Sequence, residues 1–164
     1  MELKEALQIA LDNEQKGHDI YKETSEKTQN PIVKKTFNYL AEQEVNHIDE
    51  IKKYMEQGAV ELNGDKLADT KQFFTSTVSE FKEKTELSDN DIKAHEVAME
   101  MEQSAYNFYK EQSEKTDNEE LKGFFIFLME QENAHYELIQ KALDYIKDPV
   151  SFFSEEEEWG LDGG

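Results

Sequence analysis

The chain has 164 residues, enough for one domain with a buried core, and its 18 basic and 38 acidic side chains give a formal net charge of −20. Such a surface repels nucleic acid and anionic membranes, so we expect neither as a partner. The absence of cysteine excludes disulfides, thiol redox chemistry and iron–sulfur clusters, and the scarcity of glycine and proline predicts an all-α protein.

Two helices are predicted in the first third of the chain. The first runs from about Leu3 to Glu26. Pro31 begins the second, because proline disfavours helix at the preceding residue and suits a first helical turn. This helix extends to about Glu56, and Gly58 is its predicted stop. Residues spaced three and four apart form the inward face of the first helix: Leu3, Leu7, Ala10, Glu14, Gly17 and Tyr21.

Residues 58–88 are predicted to form a long crossover, the kind of connection that some four-helix bundles place between their second and third helices. The segment contains a turn signal at Asn63-Gly64-Asp65 and a weakly amphipathic stretch over residues 73–81. We therefore expect a short helix within the crossover.

The second half of the chain repeats the first. After a shift of 88 residues, 18 of the 38 positions from Glu14 to Ile51 are identical. The third helix is capped by Ser88 or Asp89, and the fourth follows a turn at residues 116–118 and ends near Pro149. The predicted inward positions of the third helix are Ile92, His95, Met99, Glu102 and Tyr109.

The repeat predicts two helical hairpins that form a four-helix bundle over residues 1–148. Residues 149–164 are predicted to be an acidic C-terminal tail whose charged run is solvated. The aromatic residues of this tail could pack on the bundle or on a neighbouring chain, and the sequence leaves both open: Phe152, Phe153 and Trp159.

A carboxylate interrupts the inward face of each helix, and a histidine follows three residues later in the second and fourth helices. Residues three apart share a helix face, so each pair can point at one spot. Both glutamates of a hairpin lie at about the same height, roughly 22 Å from their turn at 1.5 Å per residue. We therefore expect six side chains to converge in one layer: Glu14, Glu44, His47, Glu102, Glu132 and His135.

Burying these carboxylates requires compensation. An unpaired buried carboxylate costs several kcal/mol, and no inward Lys or Arg is available to neutralise the four. A single inward glutamate or histidine is often an ordinary surface or core residue, but six at repeated spacing favour two divalent cations. Oxygen-rich ligation with one imidazole per metal suits iron or manganese.

Four other residues deserve separate interpretation. Tyr21 and Tyr109 each follow a glutamate of the set by seven residues and share its face, so they could donate a hydrogen bond to a metal-bound carboxylate or serve as core aromatics. His18 and His95 have no equivalent in the other repeat, and we expect both to be ordinary helix residues.

One glutamate from each of two helices, with a Glu-x-x-His pair from each of the other two, is similar to the di-iron ligand set of ferritin-like proteins. Over all four helices the chain most resembles the rubrerythrin-like group, above all in Glu44-Val45-Asn46-His47 and Glu132-Asn133-Ala134-His135. The resemblance implies that the six residues bind two iron ions, with manganese or mixed metals as alternatives. It also implies that Glu44 and Glu132 bridge the metals.

Two departures from that group matter. Rubrerythrins usually carry a rubredoxin module with cysteine-ligated iron, and this cysteine-free chain lacks one, so we expect an external electron-donor protein such as a rubredoxin. They also tend to carry an extra carboxylate, associated with their peroxide chemistry, three residues after the third-helix ligand. Ala105 occupies that position and Gly17 its equivalent in the first helix, which leaves a six-ligand site closer to that of bacterioferritin.

The resemblance implies a di-iron oxidoreductase that reduces hydrogen peroxide or dioxygen, a role in oxidative stress, with electrons from the external donor. Two alternatives are a ferroxidase or iron-binding protein without peroxide turnover, and a non-catalytic module that metals stabilise. We expect a homodimer. We also expect a cytoplasmic location, because the first residues lack the apolar run of a signal peptide and no apolar stretch approaches the roughly 20 residues that span a bilayer.

Overall fold

A computed structural model describes residues 3–62 and 66–155. In these two ranges the only regular structure is helical, which confirms the all-α prediction. None of the described helices combines the length and apolar character that crossing a lipid bilayer requires. The helices are α1 (Leu3–Lys27), α2 (Pro31–Gln57), α3 (Lys66–Glu80), α4 (Asp89–Lys115), α5 (Glu119–Lys147) and α6 (Pro149–Glu155).

The four long helices form the bundle as two hairpins, with α1 packed along α2 and α4 along α5. Both turns use the same cap. The Asn30 side chain accepts hydrogen bonds from the backbone amides of Ile32 and Val33 at 2.8 and 3.1 Å. Asn118 accepts two equivalent bonds in the second turn, at 3.0 and 3.1 Å. These bonds satisfy amides that a helix start leaves without partners, which explains why the repeated Asn begins α2 and α5.

Capping residues also define the helix ends that lie away from the hairpin turns. Gly58 ends α2 in the left-handed conformation, with φ of 73°, and its amide donates to the Tyr54 carbonyl at 2.8 Å. Ser88 caps α4 through a capping box with Asp91. The predicted stop at Gly58 and the predicted cap at Ser88 are both confirmed.

The crossover contains the short helix expected there, α3, which packs on α5. Phe74 and Val78 are buried on its inner face, and the Phe73 ring stacks on Tyr39 of α2 at a centroid distance of 4.1 Å. These apolar contacts explain why a weakly amphipathic stretch forms an ordered helix.

The beginning of the predicted tail is helical. Its first seven residues form α6, in which Phe152 is 3% exposed and packs edge-on against Phe74 and Tyr145 at 5.6 and 5.7 Å. Of the two alternatives for this residue, packing on the bundle is therefore correct. The side chain of Phe153, the acidic run from Glu155 onward and Trp159 lie outside the described side chains.

Two apolar clusters fill the bundle, one near the hairpin turns of α1–α2 and one near the turn of α4–α5. On α2 the first cluster ends at Ala41 and the second begins at Ile51; on α5 the second ends at Leu128 and the first resumes at Leu138. The four buried glutamates of the bundle interior lie between the two clusters. The apolar packing on both sides keeps this layer away from solvent.

Candidate metal centre

The layer between the apolar clusters contains the six side chains that the sequence singles out. Each of them is at most 3% exposed. They come from the middle of the four long helices, where the inward face of each helix carries a glutamate and, in α2 and α5, a histidine one turn later. The structure thus brings together Glu14, Glu44, His47, Glu102, Glu132 and His135.

The six residues form two overlapping groups of potential metal ligands. Glu14 and His47 belong to one group, Glu102 and His135 to the other, and Glu44 and Glu132 belong to both. Within each group the ligand atoms all lie within 4.8 Å of one another. Two centres that share two carboxylates are the arrangement a dinuclear site with bridging glutamates requires.

Each imidazole faces one shared and one unshared carboxylate. His47 Nδ1 lies 3.2 Å from Glu14 Oε2 and 3.3 Å from Glu132 Oε1. His135 Nδ1 lies 3.6 Å from Glu102 Oε1 and 3.9 Å from Glu44 Oε1. The two rings stack with a centroid distance of 5.4 Å and an interplanar angle of 16°. The geometry therefore follows the twofold repeat of the sequence.

Two tyrosines donate hydrogen bonds to the unshared carboxylates, one from α1 to α4 and one from α4 to α1. The Tyr21 hydroxyl donates to Glu102 Oε1 at 2.6 Å, and the Tyr109 hydroxyl donates to Glu14 Oε1 at 2.6 Å. Both tyrosines are 1% exposed, and Tyr21 also packs edge-on against Phe37. Each tyrosine therefore has both of the roles that the sequence suggested: its ring is a core aromatic, and its hydroxyl donates to a carboxylate of the cluster.

Gln131 also contacts the cluster, and the sequence analysis missed it. Its Oε1 atom lies 2.6 Å from His47 Nε2, and its side chain is buried. An amide oxygen accepts a hydrogen bond, so Nε2–H of His47 donates to Gln131 and Nδ1 is directed toward the carboxylates. The repeated Gln-Glu pair, Gln43-Glu44 and Gln131-Glu132, was the available signal.

The buried charges shift the pKa values of the cluster. Burial and the negative charges of Glu102 and Glu14 raise the pKa of Glu132 well above its usual range. Burial acts to lower the pKa of His47, but the Glu14 carboxylate outweighs it and raises that pKa to about 9. Burial acts to raise the pKa of Glu102, but contact with Glu132 and the charge of His135 lower it. Without a cation, Glu132 and His47 are thus driven to hold protons.

Burial and the adjacent carboxylates raise the pKa values of the two tyrosines. Desolvation and then the charge of Glu102 raise the pKa of Tyr21 well above its usual range, and desolvation and Glu14 do the same for Tyr109. Both hydroxyls therefore keep their protons at neutral pH and act as hydrogen-bond donors.

The donor set fits divalent cations. Three buried atoms that face the cluster have no hydrogen-bond partner within the described part of the chain: Glu102 Oε2, Glu132 Oε1 and His135 Nδ1. Leaving such atoms unsatisfied costs free energy, and a pair of cations would satisfy them while offsetting the charge of four carboxylates. Carboxylate oxygens with imidazole nitrogens are a ligand set typical of iron and manganese, and the set contains no thiolate.

The other two histidines lie outside the cluster, as expected. His18 is half-buried and contacts Asp19 at 3.1 Å. His95 is fully buried, with Nδ1 at 2.7 Å from the Asp91 carbonyl and its ring edge-on to Phe37. Burial lowers the pKa of His95, so its ring is neutral and serves the packing of α4.

A family model described as Rubrerythrin matches residues 5–143, which is more than half of the chain and includes all six residues of the cluster. No curated protein and no solved structure matches the chain.

Proposed function

This chain belongs to the rubrerythrin family, and we propose that it is a di-iron oxidoreductase that reduces hydrogen peroxide or dioxygen with electrons from a separate donor protein. The observation that carries the proposal is the pair of buried ligand groups that share Glu44 and Glu132. A site for a single ion would need only one group.

In this proposal each iron takes one histidine and one unshared glutamate. Glu14 and His47 would hold the first ion and Glu102 and His135 the second, and Glu44 and Glu132 would be available to both. Four carboxylates match the charge of two divalent ions. Because Glu132 and His47 hold protons when no cation is present, metal binding would release protons from the cluster.

Bound Fe(II) ions would supply one electron each, and two electrons with two protons convert hydrogen peroxide to two water molecules. The protein contributes positioning. The Tyr21 and Tyr109 hydroxyls orient the two unshared carboxylates, and Gln131 fixes the tautomer of His47. The apolar clusters on both sides of the layer limit access of water.

We assign the electron donor to another protein, such as a rubredoxin, because the sequence contains no cysteine to bind a rubredoxin-type iron. The cytoplasmic location, the homodimer and the role in oxidative stress stay predictions.

A ferroxidase or iron-binding role without peroxide turnover is the second candidate. It is favoured by Gly17 and Ala105, which offer no carboxylate at the positions where the resemblance leads us to look for an extra ligand. It differs from the first candidate in the fate of the iron, because a ferroxidase accumulates oxidised iron whereas a peroxidase is re-reduced and turns over.

The test loads the protein with Fe(II) without oxygen and mixes it with hydrogen peroxide or dioxygen in a stopped-flow instrument. We expect peroxide to oxidise protein-bound iron faster than free Fe(II), and reduced rubredoxin to restore the ferrous state over many cycles. His47→Ala and His135→Ala should abolish the acceleration.

Two other results would redirect the assignment. Oxidation by dioxygen with uptake of further iron and no repeated turnover would favour the ferroxidase. If iron binds but is oxidised no faster than free Fe(II), the enzymatic proposal is overturned. The protein would then be a non-catalytic module that metals stabilise.

A further inference from the structure

A cavity of about 460 Å³ lies between α1 and α4 and extends from the surface to the carboxylate cluster. Its outer lining includes the exposed side chains Lys16, Glu100 and Ser104, and its inner lining includes all four glutamates of the cluster. The cavity exists at this place because α1 packs mainly on α2 and α4 mainly on α5, so these two helices leave space between them.

Gly17 lies in the cavity wall on α1, beside the carboxylate cluster. It is buried, and a Cβ atom at this position would lie 3.4 Å from Glu44 Oε2 and 3.7 Å from Met101 Cε. A Cβ alone would make ordinary contacts, but any longer side chain would extend into the cavity beside Glu44. Across the cavity, Ala105 occupies the equivalent position of the second repeat, so both facing positions are small.

We propose that this cavity is the path by which the oxidant reaches the cluster, and that Gly17 and Ala105 determine which oxidants pass. The inference rests on the proposed function and names the substrate class of that site. Two divalent ions offset the charge of the four carboxylates at the inner end, so the loaded site offers an anion no net attraction, and the lining includes the apolar side chains of Ile20, Val97 and Met101. The substrates that fit are small uncharged oxidants, namely dioxygen, hydrogen peroxide and short hydroperoxides.

The two small residues then set a size limit. The glutamates at the inner end are only 2 to 3% exposed, so this end of the path is closely packed, and Gly17 lies beside Glu44 there. A leucine at position 17 or at position 105 would narrow the path from opposite walls. The larger the oxidant, the greater the loss of rate should be.

The test compares Gly17→Leu and Ala105→Leu with Gly123→Leu as the matched control. Gly123 is also a helical glycine, but it is exposed and a Cβ there would meet nothing within 4 Å. The first readout is the binding rate of nitric oxide, a neutral diatomic probe, to Fe(II)-loaded protein without oxygen. We expect both cavity variants to bind it about tenfold more slowly and the control to match the wild type.

The second readout is the ratio of the iron oxidation rates with hydrogen peroxide and with cumene hydroperoxide. The two cavity variants should disfavour the larger oxidant more strongly than the wild type does. Iron content is measured for every variant. If Gly17→Leu loses iron because the new side chain displaces Glu44, the nitric oxide binding rate and the oxidant ratio of Ala105→Leu decide whether the cavity is the access path.

The failure of this inference differs from the failure of the proposed function. Wild-type binding rates of nitric oxide in variants with full iron content would overturn the access path, whatever the activity. Slow binding in the cavity variants, together with a wild-type protein that does not accelerate peroxide reduction, would support the path and overturn the enzymatic function.

Discussion

The hydrogen bond from Tyr21 to Glu102 gives the sharpest prediction about the centre. Tyr21→Phe removes only the hydroxyl that donates to Glu102 Oε1 at 2.6 Å and leaves the ring in its contact with Phe37. No cavity is created in the core, so the effect measured is that of one buried hydrogen bond to a carboxylate.

The magnitude follows from the charge of the acceptor. Hydrogen bonds to charged groups contribute about 1.5–3 kcal/mol, so Tyr21→Phe should lower the free energy of unfolding by about that amount. For a chain of this size, about 2–4 °C of melting temperature corresponds to each kcal/mol, which gives a shift of about 3–12 °C. Since the bond also orients a proposed ligand, metal affinity should fall by about 10- to 100-fold.

The assay is urea and thermal unfolding followed by circular dichroism, with metal affinity from competition with a chelator. Tyr145→Phe is the matched control, because the Tyr145 hydroxyl is also buried but donates to a neutral acceptor, the Phe81 carbonyl, at 2.5 Å. Its loss should cost only about 0.5–1.5 kcal/mol and leave metal binding unchanged. Tyr109→Phe should resemble Tyr21→Phe, because its bond to Glu14 has the same length.

The reasoning would be refuted if Tyr21→Phe and Tyr145→Phe lost the same stability and both retained wild-type metal affinity. That result would mean that the tyrosine hydroxyl neither supports a charged acceptor nor orients a ligand.

Three more predictions follow from the repeat, from a buried histidine and from the helix caps. Glu44→Ala and Glu132→Ala should reduce metal content equally, measured by mass spectrometry of the bound metals; an unchanged content in either variant would contradict the shared ligand groups. Burial lowers the folded-state pKa of His95, so below about pH 6.5 the unfolded chain binds more protons and stability falls as the pH falls. Urea unfolding at pH 5.5 and 7.5 should show a smaller difference for His95→Gln, and an unchanged difference would contradict the assignment. Asn30→Ala and Asn118→Ala should each cost about 1 kcal/mol in urea unfolding, and no loss would mean that the caps are not needed.

The helix bounds and the convergence of the six side chains could be predicted because both depend on local signals that the repeat shows twice. The first two helices were predicted to end at Glu26 and Glu56 and end one residue later. Spacing of three and four residues fixes a helix face, and equal distance from a turn fixes a height. The six residues therefore come together without any long-range information.

The inward face of α4 was predicted less well, because hydropathy does not reveal buried polar groups. Ile92 and Met99 were expected inside but are only partly buried, whereas Asp91 and Ala98 are 6% and 1% exposed. Asp91 is buried because it accepts a hydrogen bond from Thr28 across the bundle at 2.7 Å and completes the cap of α4. Such a partner lies 63 residues away in the chain and leaves no local pattern.

Chain ends were also hard to predict from periodicity. Leu3 was placed on the inward face of α1 but is 44% exposed, because it lies at the helix start, beyond the cluster that buries Leu7. The sequence left open whether Phe152 packs on the bundle or on a neighbouring chain, and it predicted no helix after Pro149; in the structure this residue is buried against the bundle in α6. Two aromatic contacts, to Phe74 and Tyr145, therefore hold this short helix on the bundle.

The measurement that tests the two-metal centre most directly is anomalous X-ray diffraction at the iron edge from crystals of protein loaded with Fe(II) without oxygen. We expect two peaks per chain, each beside one histidine, with Glu44 and Glu132 between them. A single peak, or peaks away from His47 and His135, would contradict the shared-carboxylate site on which the proposed function depends.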